Sequence, residues 1–209
     1  VKNEALNLPS CLDKLKQFDQ LIVVDSGSTD DTTTIAASLG AEVLQFQWNG
    51  KFPKKRNWAL QNANLRNEWI LFLDADEFVT DAFVKEVALK TQDPDYNGFT
   101  IQFENYFMGR KLKYGYGFQK SALFKKSKGA YEKIEEDLWS HLDMEVHEHP
   151  IIEGKVGVIK AKEAHKDFKN LEHYIAKHNA YSSWEAQRYL QLKESKNEHL
   201  SLNQKIKYG

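Results

Sequence analysis

The 209-residue sequence predicts an α/β protein with a mixed, mainly parallel sheet flanked by helices. Three observations predict it. Short apolar runs alternate with helical patterns as far as residue 80, the order that feeds a parallel sheet. The first run, Leu21-Ile22-Val23-Val24, is continuous and β-branched, as a strand covered on both faces is. Two of the runs end abruptly in polar residues, at the strand ends where open α/β sheets bind ligands.

The elements follow in order. Val1-Lys2-Asn3-Glu4 reads as the end of a strand rather than its start, so a strand is expected ahead of it. Leu8, Cys11, Leu12, Leu15 and Phe18 have helical spacing over 8–19, with Pro9 and Ser10 suited to the first turn. After the strand 21–24 comes a small-residue turn, DSGSTDD, and then a helix, TTTIAASLG. Asp30 or Asp31 is placed to cap that helix and Gly40 to end it. A strand is expected over 41–46, a helix over 54–64, a strand over 69–73 and a helix over 80–89. From Gly98 the texture changes. GFTIQFENYFMG and SALFKK read as longer strands joined by a loop rich in aromatics and glycine, 156–161 as a short strand, and 171–193 as an amphipathic helix. Residues 1–95 and 96–170 thus read as two halves of one domain, and 171–209 as a helical extension.

Composition narrows the partners. With 29 basic and 30 acidic residues the chain carries a formal charge of -1, so nucleic acid is not expected. A lone cysteine, Cys11, excludes an internal disulfide. No apolar run approaches the roughly 20 residues of a membrane span.

The polar strand ends carry the chemistry. Asp74 and Asp76 follow Trp69-Ile70-Leu71-Phe72-Leu73 and are two residues apart, so in extended backbone their carboxylates share a side. Carboxylates so placed repel unless a cation lies between them. Mg2+ or Mn2+, hard ions often held by one or two carboxylates and substrate phosphates, is the natural cation. Lys54-Lys55-Arg56 could supply further positive charge to phosphates. The plainer alternative is that both aspartates are solvated strand-exit and helix-cap residues. In the other cluster, Asp25 ends its strand facing the crevice. An acidic turn suits hydrogen bonds to a base or to ribose hydroxyls better than a phosphate cradle. Gly27 and Asp30 would equally suit a tight turn and a cap. His165, following the strand 156–161, returns toward the same rim and is the better histidine for a metal; His147 is the other. Without HExxH or a cysteine cluster, zinc is not expected.

In combination VKNE, LIVVDSGSTDDT, KKRNWAL, WILFLDADEF and VHEH resemble the family 2 glycosyltransferases of the GT-A fold, most nearly the bacterial enzymes that build lipopolysaccharide core or related surface glycans. The resemblance implies an inverting, metal-dependent transfer of a sugar from a nucleotide-sugar, commonly a UDP-sugar, to a glycan or lipid-linked hydroxyl. Residues 1–95 would then bind the donor and 96–170 face the acceptor. It also implies roles. Asn3 and Glu4 would line the nucleoside pocket. Asp25 would bind the base, with Ser26, Gly27 and Ser28 shaping the pocket. Arg56 and Asn57 would lie near the nucleotide and diphosphate. Asp74, Ala75 and Asp76 form the family's D-x-D, whose last Asp is the main metal contact. Asp31 stands where that family often has glycine.

Inversion needs a carboxylate to take the acceptor's proton. Glu148, which matches the family's VHE element, is the first choice, Asp137 the second and Glu77 the third. The late helix carries Lys177, Tyr181 and Trp184, for which ordinary packing is expected over membrane docking. A cytoplasmic protein, peripheral at the inner face of the membrane, follows from the resemblance. Two alternatives stay open. A nucleotidyltransferase would place a glycine-rich basic loop where this chain has VKNEALN. An inactive nucleotide-sugar-binding domain would not need Asp25, Asp74 and Asp76 intact.

Overall fold

The computed structural model describes residues 1–114, 119–133 and 148–194. The elements in order are α1 (Leu8–Leu15), β1 (Ile22–Asp25), α2 (Thr32–Ser38), β2 (Glu42–Gln45), α3 (Lys55–Asn62), β3 (Trp69–Leu71), β4 (Glu77–Phe78) and α4 (Asp81–Lys90). There follow β5 (Tyr96–Phe107), β6 (Arg110–Lys111), β7 (Gln119–Lys125), β8 (Gly129–Tyr131), β9 (Pro150–Ile152), β10 (Lys155–Val158), β11 (Glu163–His165) and α5 (Leu171–Glu194).

The sheet is mixed. β1 and β2 pair in parallel, as the alternating pattern predicts. β3 leads a second sheet in the order β3-β7-β5-β11-β4, with β10 and β6 also on β5. There β5 is parallel to β10 and β11, while β7 runs antiparallel to both β3 and β5. A cleft of about 1560 Å³ opens between β1 and β3, lined by Val23 and Val24 on one side and Ile70 and Leu71 on the other.

The core forms where period-2 and helical faces meet. Phe99, Ile101 and Phe103 alternate on one face of β5 and are buried with Ala122 and Leu123 of β7 and Ile159. Phe83 and Val87 of α4 join them, one helical turn apart, and so does the stripe Leu8, Cys11, Leu12 and Leu15 of α1. The Thr80 hydroxyl accepts the Phe83 N–H and starts α4. At α2 Asp31 holds the N-cap position without a side-chain capping bond, and the carboxylate of Asp30 accepts the Thr32 N–H at 3.1 Å and the Ala5 N–H at 3.2 Å. Gly40 closes that helix with φ +85°, a left-handed conformation that costs glycine little.

The short strands β4, β6, β8, β9 and β11 are found only in three dimensions. At two or three residues each they are too brief to carry a periodicity. Two of them build the site.

Candidate active site

β3 ends at Leu71, and two apolar residues, Phe72 and Leu73, carry the chain to the acidic turn. Phe72 still donates its N–H to Ala122 O at 2.9 Å, and then the chain leaves the sheet. Asp74 and Glu77 close a turn reciprocally: the Glu77 N–H donates to Asp74 O at 3.0 Å, and the Asp74 N–H donates to Glu77 Oε2 at 2.9 Å. β4 then pairs antiparallel with β11, which puts His165 opposite Glu77. Through this pairing His165 Nε2 lies 3.2 Å from Asp76 Oδ2, although 89 residues separate the two in sequence.

Cationic side chains surround the acidic turn. Arg56, from α3, reaches Asp74 Oδ1 at 3.2 Å and stacks its guanidinium 5.1 Å from the centre of the Tyr131 ring. Lys120, from β7, stands between Asp74 Oδ2 at 3.3 Å and Glu77 Oε2 at 2.6 Å. Lys177, from α5, is 3.6 Å from Asp76 Oδ2. The ionisation follows from these neighbours. Desolvation works against a charged Asp74, but Lys120 and Arg56 outweigh it and hold the carboxyl well below the usual range. Asp76 is likewise lowered, the desolvation cost being overcome by His165 and Lys177. Glu77 goes the other way: burial pushes it up to about 7, despite the ammonium of Lys120. Burial disfavours a charged His165, yet its bond to Asp76 raises it. Beneath this layer Glu163 is fully buried, and neither carboxylate oxygen has a hydrogen-bond partner among the described residues. Burial, then the charge of Glu77, drives it up to about 8.

The turn after β1 is built from its own acid. Asp25, 1% exposed, accepts the N–H groups of Gly27 and Ser28 at 3.0 Å each and the Ser28 hydroxyl. Gly27 has φ +73° with open space around it, so conformation rather than crowding selects glycine there. Asn3 locks onto this turn: its N–H donates to Ser28 Oγ at 2.9 Å and its Oδ1 accepts the Thr29 N–H at 2.8 Å. The Glu4 N–H donates to Thr32 Oγ1, and the Glu4 carboxylate is held by Lys169 at 2.6 Å and Asn7 at 2.8 Å. The Ser26 hydroxyl is buried with no hydrogen-bond partner among the described residues.

Asn3, Glu4, Arg56, Asp74, Ala75, Asp76 and His165 line one cleft, whereas Asp25, Ser26, Gly27 and Ser28 are not among its lining residues, and neither are Asn57 and Glu148. Asn57 is buried and commits both ends of its amide to the Tyr131 backbone, giving 2.9 Å to the carbonyl and 3.0 Å to the N–H. Glu148 is buried just ahead of β9, whose Pro150 is opposite Tyr131. Asp137 and His147 lie outside the described residues. Glu77, bonded to Lys120 and to the Asp74 backbone, serves the turn. Lys120 and Lys177 are the site residues that sequence reasoning missed. One sits in QKSALFKK and the other on the late helix, where ordinary packing is expected for Lys177.

Among the described residues no three His, Cys, Asp or Glu side chains are grouped to hold a metal ion. Asp76 and His165 form a two-donor pair, which fits Mg2+ or Mn2+ bound jointly with phosphate oxygens.

The family model described as "Glycosyl transferase family 2" matches residues 1–141. A TPR repeat-containing protein of Synechococcus elongatus is 40% identical over 102 residues, covering 48% of this chain and 25% of that protein. An uncharacterized glycosyltransferase of Rickettsia felis is 29% identical over 196 residues, covering 88% of this chain and 66% of the relative. The chain thus spans a quarter of the first relative's length and about two-thirds of the second's. Among solved structures, the glucosyl-3-phosphoglycerate synthase of Mycobacterium tuberculosis, in complex with Mn2+, uridine diphosphate and glucosyl-3-phosphoglycerate, matches with a TM-score of 0.38 and 26% identity, covering 52% of this chain and 42% of that one.

Proposed function

From the premise that this chain belongs to glycosyl transferase family 2, we propose that it transfers a sugar, with inversion, from a UDP-sugar to a hydroxyl of a glycan or lipid-linked acceptor in bacterial surface polysaccharide or lipopolysaccharide synthesis. The observation that carries the reading is the convergence of Asp74, Asp76, His165 and Arg56 on the cleft beside Asn3. Asp76 and His165 would hold Mg2+ or Mn2+. When bound, the ion would neutralise charge on the leaving diphosphate. Arg56, held by Asp74 and stacked on the Tyr131 ring, would meet a phosphate oxygen.

Asn3, the Asp25 turn and the orphaned Ser26 hydroxyl would form the nucleoside side, with the base and ribose read by groups of residues 1–28. Glu148 is our choice for the group that takes the acceptor proton, and Asp137 the second. A cytoplasmic setting at the inner face of the membrane accords with such an acceptor. No helix among the described residues is long and apolar enough to cross a membrane.

The test is a thermal-shift panel of UDP-, GDP- and dTDP-sugars, with and without Mn2+, on the full-length protein. A UDP-sugar should raise the melting temperature only with the metal, and Asp76→Asn should abolish that rise. An unchanged response in the variant would remove Asp76 from the donor site.

A further inference from the structure

The acidic turn is already neutralised by the protein itself. Asp74, Asp76 and Glu77 face the permanent cations Arg56, Lys120 and Lys177. Arg56 and Lys120 lie on Asp74 and Glu77, so Asp76, the better placed of the two aspartates for a metal, has Lys177 as its own counter-charge at 3.6 Å, on the same oxygen that meets His165. A divalent ion entering at Asp76 must compete with that ammonium. A metal arriving alone leaves the cluster strongly positive, whereas a metal arriving with a diphosphate restores its balance.

Lys177 is not a wandering surface lysine. Its helix is tied to the first motif and to the β-sheet on the N-terminal side. Lys169 bonds Glu4 at 2.6 Å, the Phe168 N–H donates to Asn7 Oδ1 at 2.9 Å, and Tyr174 packs against Phe107 with ring centres 5.0 Å apart. These contacts fix the start of α5 over the cleft, and Lys177 and Tyr181 line it with Asp74 and Asp76. The ammonium stands on a flexible four-carbon stem, so it can leave Asp76 without moving the helix.

We propose that Lys177 is a diphosphate-binding residue that doubles as the resident counter-ion of Asp76: it keeps bare metal out and transfers its charge to the donor's diphosphate when metal and nucleotide enter together. This rests on the donor-site reading above. It makes metal and nucleotide binding mutually dependent through one side chain, supplied by an element outside the region that the family model matches.

The experiment measures two affinities in full-length wild type, Lys177→Gln and Lys177→Arg: Mn2+ alone, from the electron paramagnetic resonance signal of the free ion, and UDP at saturating Mn2+, by calorimetry. Lys177→Gln should bind Mn2+ alone about fivefold more tightly or better and UDP with Mn2+ about tenfold more weakly. Lys177→Arg, which keeps the charge, should stay within about threefold of wild type in the UDP measurement. If wild type binds UDP with Mn2+ and Lys177→Gln matches it, or if the variant loses both affinities together, the role of Lys177 is overturned and the donor site stands. If wild type binds UDP neither with nor without Mn2+, the donor-site reading falls, and the Lys177 proposal with it.

Discussion

Glu163 offers the sharpest test of the electrostatics beneath the site. It is fully buried, has no hydrogen-bond partner for either oxygen among the described residues, and sits near Glu77. Burial and that neighbour raise its carboxyl from an ordinary 4.5 to about 8. A group raised on folding adds stability that is fully present below its unfolded value and is lost as pH rises through the folded one. Each pH unit within the window costs about 1.4 kcal/mol, so from about pH 5 to 7.5 wild type should lose roughly 3 kcal/mol through this residue. Glu163→Gln cannot ionise and should not lose it. Glu77 and His165 are also raised, but both remain in the variant and largely cancel in the difference. For a chain of this size the gap between the two melting curves should change by roughly 6–12 °C across the window. The assay is differential scanning calorimetry of both proteins at several pH values in matched salt. Parallel pH profiles would refute the reasoning, for Glu163 would then be solvated or paired.

Two further outcomes follow from particular bonds. Above about pH 8, where Glu77 is ionised, Lys120→Met should destabilise by about 3 kcal/mol, because it leaves that carboxyl, 1% exposed, without its counter-charge; urea unfolding measures this, and a loss under about 1 kcal/mol at that pH would count against the buried pair. Asn57→Ala should cost about 2–4 kcal/mol by stranding the buried N–H and carbonyl of Tyr131. Asn57→Asp keeps an acceptor for that N–H but sets a buried carboxylate oxygen against the Tyr131 carbonyl, so it should cost at least as much as Asn57→Ala, and a near-neutral Asn57→Asp would count against the bridge.

Much of the first half was legible because its elements are long enough to show a period. The strand 22–25, the helix 32–38 and the stripe of α1 all follow from spacing, with ends no more than four residues from the expected ones. The acidic turn was legible too, since three carboxylates directly after an apolar run need a reason. His165 could be aimed at the rim because it follows a predicted strand, and it lies 3.2 Å from Asp76. The cations could not be placed. Lys120 sits in a strand whose pairing with β5 shifts register between Phe99 and Thr100, so alternation alone does not give its face. Lys177 reaches Asp76 only because the links of Lys169 to Glu4 and Phe168 to Asn7 set the start of α5, contacts spanning more than 160 residues of sequence. Nor could spacing foretell that β3 would join β7 while β1 and β2 pair with each other.

The most direct measurement is the anomalous scattering of manganese in a crystal of the full-length protein grown with Mn2+ and UDP. The account predicts a manganese peak within coordinating distance of Asp76 and His165, with the diphosphate beside it and Lys177 turned from the carboxylate to a phosphate oxygen. Nucleotide bound with no manganese at Asp76, or manganese held elsewhere on the chain, would contradict it.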